Sequence, residues 1–141
     1  MTSCFLHDSR RKLIEMGVVM AKALNELVEF LAQQATLVHD LEKEGEALLA
    51  EKGQRAFQVK LEEKAEILAA LGEKAWPLTE AVDGELGKDI ARKLEQFSMS
   101  ASTALRIGSV FFMTALLYPE DHISGGPNDL DILVRELKEK L

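Results

Sequence analysis

LIEMGVVMAKALNELVEFLAQQATLVHDLEKEGEAL, residues 13–48, sets the architecture of this chain. Alternate steps of four and three residues from Leu13 land on Gly17, Met20, Leu24, Leu27, Leu31, Gln34, Val38, Leu41, Gly45 and Leu48. These steps average about 3.5 residues, the repeat that keeps one narrow stripe of a helix turned toward a neighbouring helix. No proline interrupts Asp8 to Lys52. One helix is therefore expected there, roughly 60 Å long at about 1.5 Å per residue, with Asp8 or Ser9 accepting a backbone hydrogen bond at its start. Glu15, Lys22, Glu26, Glu29, Glu42, Lys43 and Glu46 fall on the other faces and form a solvated surface. Gln34 reads as a tolerated polar layer near solvent. Gly17 and Gly45 each cost about 1 kcal/mol relative to alanine in a helix and mark a close helix approach or a bend.

Outward from this seam, Gly53 offers the backbone freedom that ends a helix. A second helix is predicted from Gln54 to Ala75, with Phe57, Leu61, Ala65, Leu68 and Leu71 on one face. Pro77 is expected to stop it, and Leu78–Gly87 to form a loop or a short broken helix. A third helix from Lys88 to Leu117 repeats the seam through Ile90, Leu94, Phe97, Ala101, Ala104, Gly108, Phe111 and Ala115. Its second half is apolar on nearly every side and should be enclosed by neighbours, with Ser100, Ala104 and Gly108 letting another helix come close. Pro119 ends it. Residues 118–127, with Gly125 and Gly126, read as a flexible loop leading to a terminal helix over 128–141, which Asn128 and Asp131 cap. Leu130, Leu133, Val134, Leu137 and Leu141 form its stripe, and a helix so short is detachable. The expected fold is all-α: one antiparallel helical bundle over residues 1–141, with long first and third helices and a short C-terminal helix.

Composition agrees. The 141 residues, 47% hydrophobic and 29% charged, are enough for a packed core. A formal net charge of −7 argues against a phosphate backbone or an anionic membrane as main partner and points to a neutral or basic protein. Residues 101–118, ASTALRIGSVFFMTALLY, approach the length of a bilayer span, but Arg106 lies inside them with Ser102, Thr103, Ser109 and Thr114; they read as a buried core helix. Cys4 is the only cysteine, so no intrachain disulfide is expected, and Met1–Phe5 lacks the charged region and long apolar run of a secretory signal; a cytoplasmic location is expected.

Catalytic and metal-ligating patterns are missing. Glu-x-x-His, which would place two metal ligands on one helical face, does not occur: Cys4, Thr36 and Pro119 stand three residues before His7, His39 and His122. Neither do Gly-x-Ser-x-Gly or the glycine-rich phosphate loops. Glu120, Asp121 and His122 cluster acid and imidazole and read as a solvated loop, His39-Asp40 as a surface pair, and Cys4 as a quiet terminal thiol. Trp76 is expected to anchor the core or a hinge, and Met99 and Met113 to fill the core. No enzyme activity, cofactor or metal is expected.

LVHDLEKEGEALLAEKGQRAFQVKLEEKAEILAAL, residues 37–71, carries a resemblance, chiefly through Glu44, Ala47, Leu48, Leu61, Glu63, Lys64 and Leu68. Over about residues 24–71 the chain resembles the FlgN-type flagellar export chaperones. The resemblance implies a cytoplasmic, non-enzymatic chaperone that binds a terminal amphipathic helix of a hook-associated flagellar protein before export. Such a client would place apolar anchors in a groove between helices. The residues expected to meet a protein helix are Leu94, Phe97, Ala101, Ala104, Gly108 and Phe111, together with Leu130, Leu133, Leu137 and Leu141, the latter stripe occupying the groove when no client is bound. The second reading is a self-associating structural bundle, a homodimer in which the long seam pairs with its copy.

Overall fold

A computed structural model describes the backbone of residues 2–141 and the side chains of residues 11, 12 and 14–141. Five helices follow one another: α1 (Thr2–Lys52), α2 (Gln54–Ala81), α3 (Gly84–Ile107), α4 (Val110–Ala115) and α5 (Asp129–Glu139). No strand occurs among the described residues, and the fold is all-α. α1 begins at Thr2, so Asp8 and Ser9 lie within it instead of capping it; their side chains, with those of Cys4 and Leu13, fall outside the described residues. Gly53 breaks the chain with φ 91 and ψ −172, a region that glycine alone enters readily. Its N–H donates to the carbonyls of Leu48 and Leu49, and α2 turns back along α1.

The antiparallel pairing is visible in the cross-helix contacts. Glu42 of α1 meets Lys64 of α2, and Glu44 meets Lys60. Ser98 of α3 accepts from the amide of Gly72 and donates to the carbonyl of Leu68 on α2. α2 lies between α1 and α3; α4 packs on α2 and α3, and α5 on α1. Leu24, Leu27, Leu31 and Val38 of the α1 seam meet Leu61, Ala65, Leu68, Leu71 and Ala75 of α2 in one buried cluster. Gly45 is a close approach, since an added Cβ would stand 3.3 Å from the Phe57 ring, whereas Gly17 has open space around it. Gln34 is half-buried.

Three expectations are corrected. Pro77 does not stop α2, which runs on to Ala81. The proline is exposed while Ala75 and Thr79, on either side of it, are buried, so continued packing outweighs the missing hydrogen bond. α2 is in consequence 28 residues long against 24 for α3, and only the turn Val82–Asp83 separates them. The predicted third helix does not reach Leu117. Gly108, at φ 71, donates to Ala104 and Leu105 and stops it in the left-handed conformation, and the Ser109 side chain then caps α4 by accepting from the Phe112 amide. Gly108 thus provides a helix stop, with nothing packed against its α-carbon. Nor is the apolar stretch after it enclosed throughout: Met113, Leu116 and Leu117 are buried, but Ile107, Phe111 and Phe112 are exposed. Among the described residues no helix is long and apolar enough to cross a membrane.

The segment read as a flexible loop is a series of turns, with His122 donating its amide to Pro119 and Gly126 to Ile123. Asn128 is buried and forms a capping box with Asp131 at the start of α5, as its sequence signature implied.

Candidate protein-binding site

Chemistry-bearing side chains converge at one place, and they satisfy one another. Lys64 of α2 has no exposed surface. Its Nζ donates to Glu42 Oε2 at 3.2 Å and to the Thr114 carbonyl at 3.4 Å, and it stands 5.1 Å from the centre of the Tyr118 ring. The Tyr118 hydroxyl donates to the other oxygen of Glu42 at 2.8 Å. Burial holds the Lys64 ammonium below its ordinary pKa, opposed by the Glu42 charge. Burial also pushes the Tyr118 phenol well above its ordinary value, and its bond to Glu42 adds to the shift. Next to this group, His39 Nε2 lies 2.7 Å from Asp131 Oδ2 and ties α1 to α5. His39 is therefore a cross-helix contact rather than half of a surface pair with Asp40.

Such an arrangement is suited to holding the chain after α4 against α1 and α2. Of the expected loop cluster, His122 packs edge-on against Tyr118 with ring centres 4.8 Å apart, and its Nε2 donates to the Gly126 carbonyl at 3.0 Å. Among the described residues no group of three or more His, Cys, Asp or Glu side chains could hold a metal ion.

An open concave surface lies on the opposite face of α2. Between the outer sides of α2 and α3 runs an open groove of about 1230 Å³. Small residues form part of its lining: Ala69, Gly72, Ala91, Ser98 and Ser102. They are small because the two helices approach closely here; an added Cβ at Gly72 would stand 3.2 Å from Ser98 Oγ. Trp76 and Met99 also line the groove, and they are 57% and 63% exposed. A concave apolar surface with large side chains at its sides is the form that receives an amphipathic helix.

A second apolar surface belongs to α1. At 51 residues α1 far outruns its 28-residue partner α2, by roughly 34 Å at about 1.5 Å per residue. In this projecting arm Ile14, Met16, Val18 and Val19 are each 60% exposed or more. Apolar side chains on more than one side of a helix call for cover from a neighbour.

The residues expected from sequence to meet a partner divide into two groups. Leu94, Ala101, Ala104, Leu130, Leu133 and Leu137 are brought together, but in the chain's own core, and Phe97 packs half-buried against it. Gly108, Phe111 and Leu141 are exposed and lie apart from that stripe, Phe111 on α4 at 76%. α5 is seated on α1 rather than in the α2–α3 groove. Trp76 and Met99, expected in the core, line the groove instead; Met113 is in the core as expected. A sequence signal for this existed: Trp76 follows Ala75, and Met99 falls between Phe97 and Ala101, so both lie off the seams that mark the buried faces. Comparison with known proteins finds no matching family model, no matching curated protein and no matching solved structure.

Proposed function

We propose that this protein is a non-enzymatic binding module that receives an amphipathic helix of a partner protein in the groove between α2 and α3. The observation that carries the reading is the groove itself, about 1230 Å³ of open space flanked by exposed Trp76 and Met99. In the chain alone these apolar surfaces stay wet, and burying an apolar side chain of this size contributes about 1.5–3 kcal/mol. A helix with anchors at i, i+3, i+4 and i+7 matches the length and shape of such a surface. The resemblance of residues 24–71 to FlgN-type chaperones supports a terminal helix of a hook-associated flagellar protein as client, and a cytoplasmic place of action.

Trp76 is the only tryptophan of the chain and stands in the groove, so it reports occupancy directly. Helical peptides from the termini of hook-associated proteins, titrated into the full-length chain, are expected to shift Trp76 emission to shorter wavelength and to form one-to-one complexes by light scattering. Scrambled peptides of the same composition are expected to do neither. Emission and mass that stay unchanged with every peptide, in the wild type and in the Ile14→Glu, Val18→Glu variant alike, would sink the reading.

A further inference from the structure

The groove and the arm are two uncovered apolar surfaces on one chain, and their dimensions agree. The α1 backbone upstream of Ala23, Thr2–Lys22, spans roughly 31 Å, and the α3 wall of the groove from Gly84 to Arg106 spans roughly 33 Å at the same rise per residue. Their charges agree as well. Arg10, Arg11, Lys12 and Lys22 against Asp8 and Glu15 give residues 1–22 a net +2, which leaves −9 on the rest of a chain whose total is −7. The groove is bordered by Glu73, Glu80, Asp83 and Glu95. Of its three cations, Lys88 and Arg92 are already paired along α3 with Glu85 at 3.9 Å and Asp89 at 3.5 Å.

We infer that the arm of one copy lies in the α2–α3 groove of a second copy. The inference rests on the reading that this groove receives a helix, and it names the occupant when no client is present. The arm continues the axis of α1 past the α2–α3 turn, while the groove runs down the body from that same end. Two copies set end to end and related by a two-fold axis across the bundle therefore place each arm along the other's groove. The contact is reciprocal and closes as a dimer without leaving a free surface to build a filament. Two helices of this length, each covered along one side, bury on the order of the 1,600 Å² of a standard stable interface. Ile14 and Val18, four residues apart on one helical face, supply the anchors, and Lys12, with Arg11 paired to Glu15 at 3.8 Å, meets the acidic border.

Sedimentation and light scattering of the full-length chain test this with two exposed-surface variants, an arm variant (Ile14→Glu with Val18→Glu) and a groove variant (Met99→Lys with Ser102→Lys). The wild type is expected at twice 15.7 kDa and each variant at the single mass, with helix content unchanged by circular dichroism. An equimolar mixture of the two variants is expected to recover the doubled mass, because it unites an intact arm with an intact groove. Trp76 emission gives an independent readout: it moves to longer wavelength in the arm variant, where Trp76 itself is untouched. A wild type that stays single at every concentration overturns the inference. So does a doubled mass that survives in the groove variant and fails in the arm variant, which describes arms pairing with each other. Peptide titration of the arm variant, whose groove is open, separates the two proposals. Peptide binding there beside a monomeric wild type sinks only the dimer, and no binding beside a dimeric wild type sinks only the client reading.

Discussion

The two ends of α1 both carry apolar side chains and meet opposite fates. From Leu24 to Val38 the seam is covered by α2, with Leu27, Leu31 and Val38 fully buried. From Ile14 to Val19 the helix continues at the same pitch and its side chains stand in solvent. The contrast teaches that apolar side chains on a helix call for cover and leave open whether that cover is intramolecular. Truncation measures the difference. Leu31→Ala is expected to cost about 3 kcal/mol in denaturant unfolding, the transfer and cavity cost of a buried leucine. Val18→Ala, placed in the groove variant so that no second copy covers the arm, is expected to stay within about 0.5 kcal/mol. Equal losses at the two sites would erase the distinction.

Inside the covered region a second contrast separates apolar packing from the Lys64 cluster. A leucine is tolerated by any well-shaped cavity, but a buried ammonium depends on its counter-charge. Glu42→Ala removes the acceptor of both Lys64 and Tyr118 and is expected to destabilise by about 3 kcal/mol, since it strands a buried charge. Lys64→Met keeps the length and apolar stem of the side chain and is expected to fall within about 1 kcal/mol of wild type or above it. Denaturation midpoints check both. If Lys64→Met proved as damaging as Glu42→Ala, the cluster would be a net source of stability and not only a device that fixes where α4 and Tyr118 sit.

How far the sequence carried the fold follows from the range of each interaction. Local periodicity and backbone chemistry were sufficient for α1, the break at Gly53, the inner stripes of α2 and α3, and the Asn128–Asp131 cap. The misreadings at Pro77 and Gly108 run in opposite directions. At Pro77 the local stop signal yielded to the packing of Ala75 and Thr79, which carries α2 through the proline; at Gly108, read as a close-approach residue, the local left-handed stop prevails and Ser109 caps a new helix after it. The polar cluster was out of reach because Glu42, Lys64 and Tyr118 stand 22 and 54 residues apart in order along the chain, and only the fold brings them together. The groove was half legible, since off-seam Trp76 and Met99 marked it, but apolar type alone assigned them to the core.

Helix caps extend the comparison to smaller effects. Asn128 caps α5 from a buried position, while Ser109 caps the six-residue α4, whose ring pair Phe111 and Phe112 is exposed. Asn128→Ala is expected to cost about 1–2 kcal/mol, a drop of roughly 3–6 °C in melting temperature for a chain of this size. Ser109→Ala is expected at the low end of the same range, about 0.5 kcal/mol. The reverse order, in a calorimetric scan, would place the chain's stability in α4 instead of in the α5 contact with α1.

The last effect is invisible at neutral pH and is specific to the covered side. Tyr118 is the only tyrosine, so phenolate absorption near 295 nm reads one group. Burial and the Glu42 contact raise its pKa in the folded state, whereas an unfolded tyrosine titrates near 10. Between those values the native chain keeps a proton that the unfolded chain has lost, so this group's contribution to stability is intact below about pH 10 and falls as pH rises through the window. Lys64 works in the opposite sense, because its depressed folded pKa makes the native state release a proton before the unfolded one does, which raises stability with pH up to its free value near 10.5. Unfolding midpoints alone therefore blend two opposed slopes. Absorption separates them: at about pH 10.5 the native protein is expected to show almost no phenolate and the guanidinium-unfolded protein more than half. Phenolate appearing in the folded chain at the ordinary tyrosine pKa would mean that Tyr118 is open to solvent, and that the lock between α1 and the chain after α4 is as exposed as the arm.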